Sequence, residues 1–116
     1  MKNHWTPNAG GVCDECGEPR FAHTASSEAC PSQADCDRLH GPLTAWHAAV
    51  QPIRDAYRHA REAAKKMAAS ARKGKPHATP QAVEAAAVAR DQLLVDYRAA
   101  IRRADREAAR GVRDEA

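Results

Sequence analysis

Two stretches of this chain repeat one spacing, and that repetition constrains the fold more than any other feature. Trp46, Val50, Ile53, Tyr57, Ala60, Ala64, Met67 and Ala71 follow one another at alternating intervals of four and three residues. Val83, Ala87, Arg90, Leu94, Tyr97, Ile101, Ala104 and Ala108 do the same. Four-three alternation holds side chains on one stripe of an α-helix, at the a and d positions of a heptad. The spacing therefore predicts two long helices, each with one seam to bury. Arg72-Lys73-Gly74 puts cations on a last turn and glycine just beyond it, which ends the first helix. Thr79-Pro80 starts the second, with threonine as cap and proline at the first helical position. Gly111 is expected to close it and to leave the last five residues frayed. The two arms, 43–73 and 80–110, have 31 residues each, which at ~1.5 Å rise gives roughly 46 Å apiece. Equal arms and a short loop at 75–79 imply an antiparallel hairpin. Pro52 lies inside the first seam and is expected to kink or locally break that helix.

Composition shows how such helices must pack. Hydrophobic residues make up 43% of the chain, but 27 of its residues are alanine and five are aromatic: Trp5, Phe21, Trp46, Tyr57 and Tyr97. A large buried side chain contributes roughly 1.5–3 kcal/mol. Alanine contributes little area but the best helix propensity. The fold class expected is thus mainly α, with slender helices in close approach and a coiled-coil-like hairpin over residues 42–116. A two-helix hairpin buries little, so it is expected to form a homodimer (a four-helix bundle) or to dock on a partner protein.

The head, residues 1–41, has no seam and contains all four cysteines. Its lead-in through Val12 is broken by Pro7 and Gly10-Gly11. Ser32-Gln33-Ala34-Asp35 fits a capping box, so a short helix carrying Cys36 and His40 is expected to begin there and stop near Gly41-Pro42. Cys13-Asp14-Glu15-Cys16-Gly17 is a Cys-x-x-Cys-Gly knuckle, whose spacing brings two thiolates to one tetrahedral ion. Its glycine relieves the tight turn behind the second ligand. The remaining ligands are open between three sets. The simplest is Cys13, Cys16, Cys30 and Cys36, which uses every cysteine. The second is Cys13, Cys16, His23 and Cys30. The third is Cys13, Cys16, Cys36 and His40, since Cys36 and His40 are four apart on one helical face. The expected cofactor is structural Zn2+. The spacing matches none of the usual iron–sulfur runs, and this many donors favour a closed site over a catalytic zinc with an open position.

The run Val-Cys-x-x-Cys-Gly-x-Pro-x-x-x-His at Val12 to His23, followed by Ala-Cys-Pro at 29–31, resembles short zinc-binding accessory proteins of actinobacteria and their phages. Thirteen arginines against five lysines fit a GC-rich genome. The resemblance covers about twenty residues. It implies a small accessory zinc protein, favours the set containing His23 and Cys30, and implies no reaction; Cys36 departs from that pattern.

Charge separates the two parts. Residues 1–40 carry three basic and six acidic side chains, a net −3; residues 41–116 carry 15 basic and nine acidic, a net +6. Arg54, Arg58, Arg61, Lys65 and Arg72 form one stripe beside the seam, and Lys73 and Lys75 make the tip basic. These are the candidate contacts to a partner or to nucleic-acid phosphates. Arg98, Arg102, Arg106 and Arg110 repeat every four residues on the second arm. Ordinary solvated flanks, paired with acids such as Asp55, Glu62 and Asp105, account for the same pattern. Trp5 and Phe21 are expected to cover the metal site or to be exposed anchors, and His47 and His59 to be surface residues without partners. No apolar run approaches ~18 residues and no signal peptide is visible at the start, which predicts a cytoplasmic protein with reduced cysteines. No nucleophile–base constellation, phosphate loop or carboxylate pair points to an enzyme. The expected function is a non-enzymatic zinc-binding interaction protein acting on another protein; the alternative is a nucleic-acid-binding zinc finger using the basic hairpin.

Overall fold

The computed structural model describes residues 5–23 and 28–115, with side chains as far as Gly111. It is mainly helical. A 3-10 turn, Arg20–Ala22, precedes α1 (Gln33–Arg38), α2 (His40–Arg72) and α3 (Pro80–Glu115). The two long helices pack against each other as an antiparallel hairpin. The lead-in through Met1–His4 lies outside the described residues.

Local chemistry accounts for the helix ends. Ser32 Oγ accepts from the Asp35 amide and an Asp35 carboxylate oxygen accepts from the Ser32 amide, both at 3.2 Å, so the capping box forms as expected. α1 then ends one residue before Leu39, and His40 opens α2 rather than extending α1. Pro42 is accommodated in the first turn of α2, where a missing amide leaves no intrahelical bond unmade. Gly74, at φ +72°, closes the other end. The amides of Gly74 and Lys75 return to the carbonyls of Ala71 and Ser70 at 3.0 Å each, the paired bonds of a Schellman cap. Thr79 Oγ1 accepts from the Ala82 amide at 3.1 Å and starts α3.

Two expected interruptions of the helices do not occur. α2 runs through Pro52 without a break. The proline is exposed while Val50, two residues away, is fully buried, so its ring faces solvent and packing around it holds the helix together. Nor does Gly111 end α3, which continues to Glu115. One glycine costs a helix only about 1 kcal/mol, and flanking residues with good propensity carry the helix past it.

The chain forms two compact units, Met1–Val50 with Ile101–Ala116, and Gln51–Ala100. In the first, Ala22, Leu39 and Leu43 form a buried cluster with Phe21 and Cys36 packed against it, and Trp46, Val50, Ala104 and Ala108 fill the seam. Gly11 lies directly over Ile101: a Cβ built there would come 2.7 Å from Ile101 Cγ2. The alanines leave an apolar cleft of about 310 Å³ between Ala45, Trp46 and Ala49 on α2 and Ala104 and Ala108 on α3. The second unit is thinner. Its buried apolar residues, among those described, are Ala64, Ala78 and Tyr97, with the Tyr57 and Tyr97 rings 5.8 Å apart. Every seam position read from the sequence is buried or half-buried, Arg90 included.

Candidate metal centre

The knuckle is built by backbone bonds. Antiparallel bridges pair Pro7 with Cys13 and Val12 with Pro19. Asn8 shapes the intervening turn, its Oδ1 accepting from the Gly10 amide at 2.8 Å. After Cys13, the Gly17 amide donates to the Cys13 carbonyl at 2.8 Å and the Cys13 amide to the Glu18 carbonyl at 2.9 Å. That tight reversal needs Gly17 at φ +77°, the role assigned to it from the sequence. The Trp5 amide donates to the Glu28 carbonyl at 2.7 Å and so ties the lead-in to the segment bearing Cys30.

Four donors converge in this frame: the sulfurs of Cys13, Cys16 and Cys30 and a ring nitrogen of His23 all lie within 4.8 Å of one another. Cys13 Sγ is 3.9 Å from Cys30 Sγ, and Cys16 Sγ is 3.3 Å from His23 Nε2. Zinc bonds of about 2.3 Å to sulfur and about 2.0–2.1 Å to nitrogen, at the tetrahedral angle, separate ligand atoms by about 3.8 Å (S···S) and about 3.6 Å (S···N). The Cys13–Cys30 and Cys16–His23 separations thus stand within a few tenths of an ångström of that geometry. The residues fit a divalent ion of tetrahedral preference, and no disulfide joins the described cysteines.

The surroundings prepare the donors. His23 is buried, and its Nδ1 donates to the Pro19 carbonyl at 3.1 Å. That bond fixes the tautomer that leaves the Nε2 lone pair facing the sulfurs. The Trp5 ring meets the His23 ring edge-on at 4.9 Å and covers it. Burial would push the Cys13 thiol up, but amides of Thr6, Cys16 and Glu15, with the His23 side chain, outweigh it and bring Cys13 down to about 6. Two of those amides reach the sulfur at 3.3 and 3.4 Å. Burial, together with the neighbouring Cys16 and Cys13 sulfurs, pushes Cys30 up to about 12, and burial raises Cys16 as well. One sulfur here readily carries negative charge and its neighbours resist adding more. A bound cation removes that resistance.

The structure gathers the second of the three ligand sets. Cys36, placed in the site by the simplest set, packs instead against Ala22, Leu39 and Leu43, where burial and then the Glu18 charge raise its thiol. Its position on the capped helix turns it into the apolar cluster. His40 is exposed at the start of α2 and takes no part. Trp5 covers the site, whereas Phe21 belongs to the apolar cluster. His47 is not partnerless: Nε2 lies 3.3 Å from a Glu18 carboxylate oxygen, which ties the knuckle to α2. His59 is exposed, as expected.

The basic stripe divides. Arg58, Arg61, Lys65, Arg72, Lys73 and Lys75 are exposed. Arg61 sits over the Tyr57 ring at 5.9 Å and Lys65 is 3.9 Å from Glu62. Arg54 does not belong with them. Its Nε donates to the Tyr97 hydroxyl at 3.0 Å and its Nη1 to Gln51 at 3.2 Å, while Nη2 is buried with no hydrogen-bond partner among the described residues. Asp105, read as a solvated flank, accepts from the buried Trp46 indole at 2.8 Å. A separation of 59 residues hides such a pair from sequence periodicity. No described helix is long and apolar enough to cross a membrane. Comparison with protein-family models, curated proteins and solved structures finds no match to this chain.

Proposed function

We propose that this chain is a small non-enzymatic interaction protein whose head is stapled by a structural zinc ion on Cys13, Cys16, His23 and Cys30. One observation carries the reading: four protein donors converge within 4.8 Å of one another, with the histidine tautomer set by its own carbonyl acceptor. A site closed by four protein ligands leaves no position for a reacting water, which favours structure over catalysis. Zinc would compensate for the small apolar cluster beneath the knuckle, as metals do in domains too small to build a sufficient core. The Glu18–His47 pair and the Gly11–Ile101 contact then make the metal-ordered head part of the unit that holds the apolar cleft. That alanine-lined cleft supports a partner protein presenting an apolar helix face.

The test is metal content by mass spectrometry on reduced, purified protein, with thermal unfolding before and after chelation. One zinc per chain is expected, with His23→Ala and Cys30→Ser losing it and Cys36→Ser retaining it. Protein without stoichiometric metal, or unfolding indifferent to chelation, overturns the reading. A nucleic-acid interface is the second reading, supported by the exposed basic tip Arg72, Lys73 and Lys75. Binding to DNA or RNA that falls steeply with salt would favour it, and no binding at low salt would remove it.

A further inference from the structure

The unit Gln51–Ala100 has one buried seam and no second layer of secondary structure to pack on it. Its buried apolar residues, among those described, are two alanines and Tyr97. Helical arrangements of this size reach stability by burying a second face. The outer side of α3 offers one. Val88 and Val95 are 56% and 57% exposed, the large hydrophobics most open to solvent among the described residues. They are seven residues apart, and two turns of helix put them on a single stripe.

The charges beside that stripe are ordered along it. Glu84, Asp91 and Arg98 recur every seven residues on one edge, and all three are exposed. Glu84 therefore precedes the valines, Asp91 lies between them and Arg98 follows them. In an antiparallel pair of identical helices related by a two-fold axis, the same edge of each faces the other. With the axis midway between the valines, Val88 lies opposite Val95 of the second copy, and Glu84 opposite its Arg98. The symmetry makes each contact twice. Asp91 would approach its own counterpart near the axis, but Arg90 Nε donates to its carboxylate at 2.9 Å and offsets that charge. A parallel arrangement would instead set this edge against the opposite one, Ala85, Gln92 and Ala99, and form no ion pair.

We propose that the occupant of this face is a second copy of the chain, bound as an antiparallel α3–α3 dimer through Val88 and Val95 with reciprocal Glu84–Arg98 pairs. The inference does not depend on the metal or on the proposed partner protein. The contact is small, so weak, concentration-dependent association is expected. Sedimentation equilibrium of the purified protein from about 1 µM to about 1 mM reads it directly. Val88→Asp should leave the protein monomeric with unchanged helical circular dichroism, because the residue is exposed in the monomer. Glu84→Arg and Arg98→Glu, made singly, each put two like-charge contacts across the axis and should weaken association about tenfold. The double reversal should restore wild-type association. A wild-type chain that stays monomeric across the range overturns the proposal. So does a dimer insensitive to Val88→Asp, or a double reversal no better than either single change.

Discussion

Replacing Gly11 with alanine tests how the cysteine-bearing head seats on the helices, and its cost can be worked from the structure. Gly11 has φ +77° and lies against Ile101, with built-Cβ distances of 2.7, 3.3 and 3.4 Å to Cγ2, Cδ1 and Cγ1. A left-handed backbone costs a non-glycine residue about 1–2 kcal/mol. Moving Ile101 off its rotamer to admit the methyl group costs about 0.5–1.5 kcal/mol more. Fewer unfolded conformations for alanine offset about 0.4–1 kcal/mol. The net expectation is a destabilisation of about 0.5–3 kcal/mol. Gly74 provides the control: its φ is +72°, but nothing lies within 4 Å of its Cβ position. Gly74→Ala therefore carries only the backbone cost. Urea unfolding of metal-loaded protein should show Gly11→Ala as the costlier change, and combining it with Ile101→Ala should recover most of the excess in a double-mutant cycle. Equal costs for the two glycines, or a cycle with no coupling, would refute the close approach of the knuckle to α3.

Further outcomes follow from the same structure. Trp46→Phe keeps most of the apolar contact but removes the indole donor to Asp105, and should cost about 1 kcal/mol in urea unfolding. Burial, partly opposed by the Trp46 donor, raises Asp105 above its ordinary value of 3.8. The folded state thus holds that proton more tightly, and the stability this gives at low pH is lost as pH rises through the raised value; Asp105→Asn should gain stability relative to wild type across that window, measured by unfolding at stepped pH. Hydrogen bonds from the Ser32 amide, and then the Ser32 side chain, lower Asp35, so its contribution is present above the unfolded value and is lost as pH falls through the lower folded one. Ser32→Ala should cost about 1 kcal/mol and flatten that dependence in stepped-pH unfolding. At the proposed zinc site, metal retention, followed by a colorimetric chelator, should fall with pH as protons compete for the cysteine sulfurs.

The sequence alone determined what depends on residues near one another along the chain. Both seams, the Ser32–Asp35 capping box, the Gly74 cap, the Thr79-Pro80 start and the knuckle turn at Gly17 are set by spacings of a few residues, so a string of letters contains them. It also narrowed the candidate metal ligands to a handful of donors. Tertiary structure decided among those donors, because Cys36 and His23 differ less in chemistry than in which way their segments face: one turns into the Leu39–Leu43 cluster, the other under Trp5. It likewise joined Trp46 to Asp105, Arg54 to Tyr97 and Glu18 to His47, and carried helices through Pro52 and Gly111. Those outcomes depend on which side chains become neighbours once the chain has folded back on itself, and packing energy there outweighs local propensity.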